Sequence, residues 1–263
     1  MATRRAAACS LALALAATAC GGSEADRAVR DTGERLADVR SGELVLRVVT
    51  GALEDEGADT GFELAGPFDL AADPPAARFT YTQFVADAQQ VSTLTTAGGE
   101  AFVEVDGVAY QLDDAAAARL RPAGPLEGLD LSAWLVEPTI VAQEGGVDRI
   151  EARLDTPIVL RDLMTLGAEL DARPEPPGMD ATDADRLRRA ARSAVATLET
   201  GSHDRLLHRL HGRIEFASGT HPDLQLPGGR FEFTVMLAGH NQPVTVEAPA
   251  DARPVEDLPG RGP

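Results

Sequence analysis

Between positions 26 and 39 apolar side chains recur at helical spacing, Val29, Leu36 and Val39 with Ala28 and Thr32. That pattern predicts one amphipathic helix, stopped at Ser41-Gly42. The period then changes to two. Across 43–50, Leu44, Leu46 and Val48 take one face and Glu43, Val45 and Arg47 the other, which reads as a strand. The acidic, turn-rich stretch 51–61 reads as an exposed hairpin loop, and further strands are expected at about 62–71, 77–85 and 89–96. At 102–112 Asp106-Gly107 sits between two short alternating runs of β-formers. An Asp-Gly pair in that setting predicts a hairpin closed by a type I′ turn.

The second half alternates between the two periods. An Ala run at 113–121 predicts a short helix, and 122–138 is a Pro- and Gly-punctuated excursion with a helix around 129–135. A strand is expected at 147–155, with Ile150, Ala152 and Leu154 on one face, and a helix at 158–170. Residues 172–178 break the pattern. Thr182 with Asp185 three residues on resembles a capping box, opening a helix through about Leu198. Its buried stripe is expected to be Leu187, Ala190, Ala191, Ala194, Val195 and Leu198, with Arg188, Arg189 and Arg192 solvated. Strands return at 204–216, 229–237 and 244–247, before a loose Pro/Gly-rich tail. The sum is an α+β domain: an antiparallel sheet of nine to eleven strands, covered on one side by three or four helices. Neither a repeat nor a Gly-rich phosphate loop at a strand–helix junction is present, so a dinucleotide or P-loop reading has no support.

The first twenty residues bear on where this domain works. Arg4 and Arg5 precede an apolar, small-residue run at 6–17, closed by Ala17-Thr18-Ala19-Cys20-Gly21-Gly22. A basic start, an apolar stretch and a small-residue processing site have the layout of a secretory leader. The run is short for a permanent membrane helix. Leu15 and the three residues before Cys20 resemble a bacterial lipobox, with Ala17 where that pattern favours Leu. The resemblance implies a signal peptide at 1–19, acyl chains on Cys20 as the new N-terminus, and a lipidated tether at 20–25. An ordinary secretory signal cut near Ala19 is the other reading. Cys9 lies in the leader, so Cys20 alone would remain and no internal disulfide could form.

Charge narrows the partners. The formal net charge is −18, and loss of Arg4 and Arg5 makes it more negative. Such a surface repels nucleic acid and anionic lipid headgroups. Every basic residue is Arg, which removes lysine as a nucleophile or Schiff-base former.

No residue set points to catalysis. His208 and His211 lie three apart in an expected strand and so face opposite ways, while His203, His221 and His240 fall in turns without paired cysteine. HExxH and GxSxG are absent, and Ser202 and Ser218 read as turn residues. Ser202-His203-Asp204 are contiguous, whereas triad members converge from distant segments. Glu54-Asp55-Glu56 and Asp113-Asp114 read as solvated loop charges. The expectation is a protein that is not an enzyme and needs no metal or cofactor.

The order of elements carries a family resemblance. Lipobox, N-terminal helix, strands ending in FVEVDGVAYQL, a Trp- and Pro-containing excursion, then LLHRLHGRIEF, FEFTVML and PVTVEAPADARPV follow one another. This resembles the actinobacterial LppX/LprG-type lipoproteins, similar in fold to the lipoprotein carrier LolA and its receptor LolB. The closing phrase is the best single match; 171–185 match poorly. The resemblance covers nearly all of a domain at 26–255, with a flexible tail at 256–263. It implies a strongly curved antiparallel half-barrel, with the helices across its concave side and an apolar cavity between the layers. It also implies binding of an acylated lipid or glycolipid and its transport, at the outer face of the cytoplasmic membrane, by a monomer that an envelope transporter could serve.

Candidate lining residues on the strands are Leu46, Val48, Phe79, Tyr81, Val103, Val105, Ile150, Leu154, Ile214, Phe216, Phe231, Phe233 and Val235. From the helices come Trp134, Leu135, Leu160, Leu163, Met164 and Leu187. With one Trp, two Tyr and eight Phe, the inward set is mainly aliphatic. Such a lining suits acyl chains, at about 0.8 kcal/mol per CH₂ removed from water. It suits a filled core equally, and a closed module that binds a protein partner is the rival reading. Trp134 could gate the mouth or anchor its loop.

Overall fold

The structure is a computed structural model that describes residues 23–52, 59–119, 129–170, 179–217 and 229–258. Cys20, Glu54-Asp55-Glu56, Ser218, His221 and the break at 172–178 lie outside the described residues.

The first half of the chain is a helix and a meander. It comprises α1 (Glu24–Leu36), β1 (Ser41–Gly51), β2 (Thr60–Asp69), β3 (Ala76–Val85), β4 (Ala88–Ala97), β5 (Glu100–Val105) and β6 (Val108–Gln111). Two short helices follow, α2 (Asp114–Arg119) and α3 (Leu131–Trp134). The second half comprises β7 (Leu135–Glu144), β8 (Val147–Leu154), α4 (Thr156–Leu170), α5 (Ala181–Ala190), β9 (Ala191–Gly201), β10 (Leu207–Phe216) and β11 (Gly229–Ala238). β12 (Arg253–Pro254) closes the series.

All twelve strands form one open sheet in the order β12-β6-β5-β4-β3-β2-β1-β11-β10-β9-β8-β7. Two antiparallel meanders, β1–β6 and β7–β11, are thus joined where β1 pairs antiparallel with β11. Only β12 runs parallel to its neighbour, β6. At the join Leu44 faces Leu237, Leu46 faces Val235 and Val48 faces Phe233. One face of the sheet is therefore apolar there. α1, α3, α4 and α5 form a layer over the second meander, through contacts to β7, β9 and β10 and to one another.

Local chemistry fixes the start of α1 and the β5–β6 turn. Ser23 caps α1 by accepting from the Asp26 N–H at 3.0 Å while the Asp26 carboxylate accepts from the Ser23 N–H at 2.7 Å, a complete capping box. On the buried side of α1, Thr32 pairs with Thr200 of β9 at 2.8 Å. Asp106 and Gly107 both have positive φ, 51° and 74°, as the type I′ hairpin requires.

Several expectations are corrected. The helix expected through Leu198 ends at Ala190, because 191–201 form β9. The Ala-rich run supports either period, and alternation of Ala194, Ala196, Leu198 and Thr200 against Val195, Thr197 and Glu199 decides it. Val195, expected inside, is 49% exposed, and Ala196 is buried in its place. That helix is capped by Asp180, whose side chain accepts from the Asp183 N–H, rather than by Thr182. No strand forms at 244–247; the last pairing comes later, at Arg253–Pro254. β7 was not foreseen, because Pro138 reads as a breaker. It is tolerated on this edge strand inside a register irregularity, between Val136 and Thr139. The described residues hold twelve strands and five α-helices, above the expected nine to eleven and three or four.

Candidate functional site

Strand register lays one row of side chains across ten strands on the helix-bearing face. In spatial order it reads Ile150, Leu198, Leu210, Val235, Leu46, Leu64, Tyr81, Ser92, Val105 and Val108. From Ile150 to Leu46 every member is essentially inaccessible, and Leu64 is still buried. From Tyr81 onward every member is only partly buried. Among the described residues α1, α3, α4 and α5 lie over the second meander, and beyond β2 the short α2 packs against β5.

The partly exposed region has a direction. At the end of the sheet where β2 turns into β3, Phe68, Ala77 and Ala101 on this face are buried. At the opposite end, where β1 finishes and β2 begins, Phe62, Phe231, Val105 and Val108 are partly exposed. The apolar face is thus sealed at one end and accessible at the other. Phe62 and Tyr81 stack at 5.8 Å between ring centroids. Phe231 lies 6.4 Å from buried Phe233, which meets Trp134 edge-on at 5.5 Å and 82°. Aromatic contact therefore runs from the deep core to the open face.

The proposed lining residues divide between these zones. Leu46, Val48, Leu135, Ile150, Leu154, Leu160, Leu163, Leu187, Ile214, Phe216, Phe233 and Val235 are buried in one core cluster with Trp134. Phe79, Tyr81 and Phe231 pack against that cluster while partly exposed, and Val103 and Val105 lie partly exposed on β5. Met164 is half exposed on α4. Phe62, Leu94 and Val108 were missed, although they share the open face. Hairpin register supplied the signal for Val108, since a two-residue turn at Asp106-Gly107 must pair it with Val105.

Trp134 anchors. It is fully buried, and its indole N–H donates to Asp162 of α4 at 2.8 Å.

The polar candidates go elsewhere. A recess of about 460 Å³ lies between α1 and the β9–β10 turn, lined by Asp31, Glu34, Arg35, Asp38, Ser202, His203, Asp204 and Arg205. In it the Ser202 hydroxyl bonds to Asp148 and Asp204 accepts from the Leu206 N–H, so neither is engaged with His203. His211 bonds Thr234 on the other face, and His208 stacks near His240 at 5.6 Å. Among the described residues no three His, Cys, Asp or Glu side chains converge in a way that could hold a metal. None of the described helices is long and apolar enough to cross a membrane.

Asp148 is the most perturbed carboxyl in this region. Burial pushes against its ionisation, but hydrogen bonds from Ser202, Arg205 and Gln143 outweigh that and hold it below the usual carboxylate value. The cluster ties β8 to the β9–β10 turn.

No family model and no curated protein matches the chain. Among solved structures it is similar to LprF from Mycobacterium bovis, with 13% identity and a TM-score of 0.46, over 88% of this chain and 99% of LprF. A DUF1329 family protein from Desulfovibrio piger is similar at 9% identity and a TM-score of 0.25, over 85% and 96% of the two chains. A LolA superfamily protein from Nitrosomonas europaea follows at 8% identity and 0.21, over 82% and 94%.

Proposed function

We propose that this chain is an envelope lipoprotein that binds an acylated lipid or glycolipid non-covalently and assists its transport. The observation that carries the reading is the row from Ile150 to Val108, apolar but for Ser92, buried over one half and partly exposed over the other. A hydrocarbon tail laid along β2–β6, between Phe62, Tyr81, Leu94 and Val105, would extend the existing core. Each methylene buried supplies about 0.8 kcal/mol, so ten supply roughly 8 kcal/mol before ordering costs. In this reading the sheet is a curved half-barrel, the helices are its cover, and no bond is made or broken. Acyl chains on Cys20 hold the protein at the outer face of the cytoplasmic membrane, where a tethered monomer takes cargo from the leaflet it touches or from an envelope transporter.

A rival is favoured by one feature: under the helices the interior is packed, with Trp134, Leu160 and Leu198 inaccessible. An open apolar face on a packed body also suits a protein partner. Native mass spectrometry of the protein, purified from an envelope-lipid-rich host, separates the two. Retained lipid mass, or uptake of added phospholipid after delipidation, supports the carrier. A lipid-free protein that takes up none contradicts it and leaves the protein-partner reading.

A further inference from the structure

Charge is divided unequally between the two faces of the first meander. β2–β6 carry the charged side chains Glu63, Asp69, Arg78, Glu100 and Glu104. By strand register all of them lie on the face away from the helix layer. There Arg47 pairs with Glu63 at 3.0 Å and Arg78 with Glu104 at 3.7 Å. The helix-bearing face of the same strands holds no charge.

That face is nevertheless polar at one level. Along β3 and β4 its side chains pair in order from the accessible end: Val85 with Ala88, Gln83 with Gln90, Tyr81 with Ser92, and Phe79 with Leu94. Hydrogen-bonding groups thus sit near the opening, with an apolar pair behind them. From Gln83 to Ala77 at the sealed end the strand runs about 20 Å. Gln83 and Gln90 are directly opposed across an antiparallel pair, which puts their Cβ atoms about 5 Å apart. Both are exposed, and among the described residues no hydrogen bond engages either side chain. Phe62 stands beside Gln83 on β2, with its ring against Tyr81. The turns at this end add Asp87 and Asp106, both exposed. A phosphate brought here would meet carboxylates at the mouth and no cation on this face of β2–β6.

We infer that Gln83 and Gln90 hold the headgroup of the lipid, and that this headgroup is uncharged and bears hydroxyls. The inference rests on the acyl-chain reading and adds the chemistry of the polar end to it. Each primary amide offers two N–H donors and a carbonyl acceptor, which matches a hydroxyl that both donates and accepts. An ionised phosphate would leave water for a site without opposite charge, an unfavourable transfer. With the tails directed toward the sealed end, the headgroup lies at the opening and stays in contact with water.

The test is transfer of pyrene-tailed monogalactosyl diacylglycerol and of phosphatidylglycerol with the same tails, from neutral carrier vesicles to the protein. The ratio of the two is read for wild type and variants against the same vesicles, so differences in how readily each lipid leaves the bilayer cancel between proteins. Wild type is expected to favour the galactolipid about tenfold. In Gln83→Leu/Gln90→Leu that ratio falls several-fold, and in Gln83→Arg/Gln90→Arg it inverts. Both sites are exposed, so the variants are expected to melt as wild type does. Gln89→Leu, exposed on the opposite face of β4, keeps the wild-type ratio. Equal transfer or a preference for phosphatidylglycerol by the wild type, or a ratio that neither double variant changes, overturns the glutamine site but not the acyl-chain reading. Transfer of neither lipid overturns both.

Discussion

Asp148 shows how one buried carboxylate can fix a turn that no apolar contact would hold. Its side chain is inaccessible, yet Ser202, Gln143 and the partly buried Arg205 surround it with donors. Because these bonds lower its pKa in the folded state, the stability they add is present above the ordinary Asp range and is lost as pH falls through the lowered value. Asp148→Asn should cost about 2 kcal/mol at neutral pH. Denaturant titrations should show the gap from wild type narrowing below about pH 4. A gap that stays constant with pH would contradict the assignment. Trp134 belongs to the same scale. It fills the space between Phe233 and α4, so Trp134→Ala should lower stability by roughly 3–5 kcal/mol. Had it gated the mouth, truncation would change uptake at little cost in stability.

At the scale of elements, β9 is the informative case. Its side-chain parity puts Ala196 in the core and Val195 in solvent, the reverse of the helix that the Ala-rich sequence suggested. Val195→Asp should stay within about 0.5 kcal/mol of wild type, whereas Ala196→Asp should abolish cooperative unfolding or cost several kcal/mol. Thermal melts of the two variants decide between the periods. Next to it, a Cβ at Gly212 of β10 would collide with the Phe233 ring, so Gly212→Ala should cost about 1–3 kcal/mol and disturb the Trp134 contact. Elements with a chemical reason of their own were readable from the chain: the Asp106-Gly107 turn, the alternation of β1 and β11, the amphipathic α1. Those decided by neighbours were not. The run 191–201 becomes a strand because β8 and β10 accept it on both sides, and β7 forms because an edge tolerates Pro138.

For the whole molecule, the sequence identified many residues of the apolar face but not their exposure. Tyr81, Val103, Val105 and Phe231 were readable as inward because strands alternate. That helices shield Leu46 but leave Tyr81 partly open depends on where α1, α3, α4 and α5 pack, a long-range outcome that no local pattern encodes. The other face carries cross-strand charge pairs such as Arg47–Glu63 at 3.0 Å and Arg149–Glu199 at 3.2 Å, so the proposed lipid belongs on the helix-bearing face. A phospholipid carrying a photoactivatable diazirine in its tail tests this most directly, with the labelled residues mapped by peptide mass spectrometry. Labelling is expected at Phe62, Tyr81, Val105 and Val108, and not at exposed Val91 or Met236 on the other face. Labelling spread over both faces, or confined to Val91 and Met236, would contradict the account.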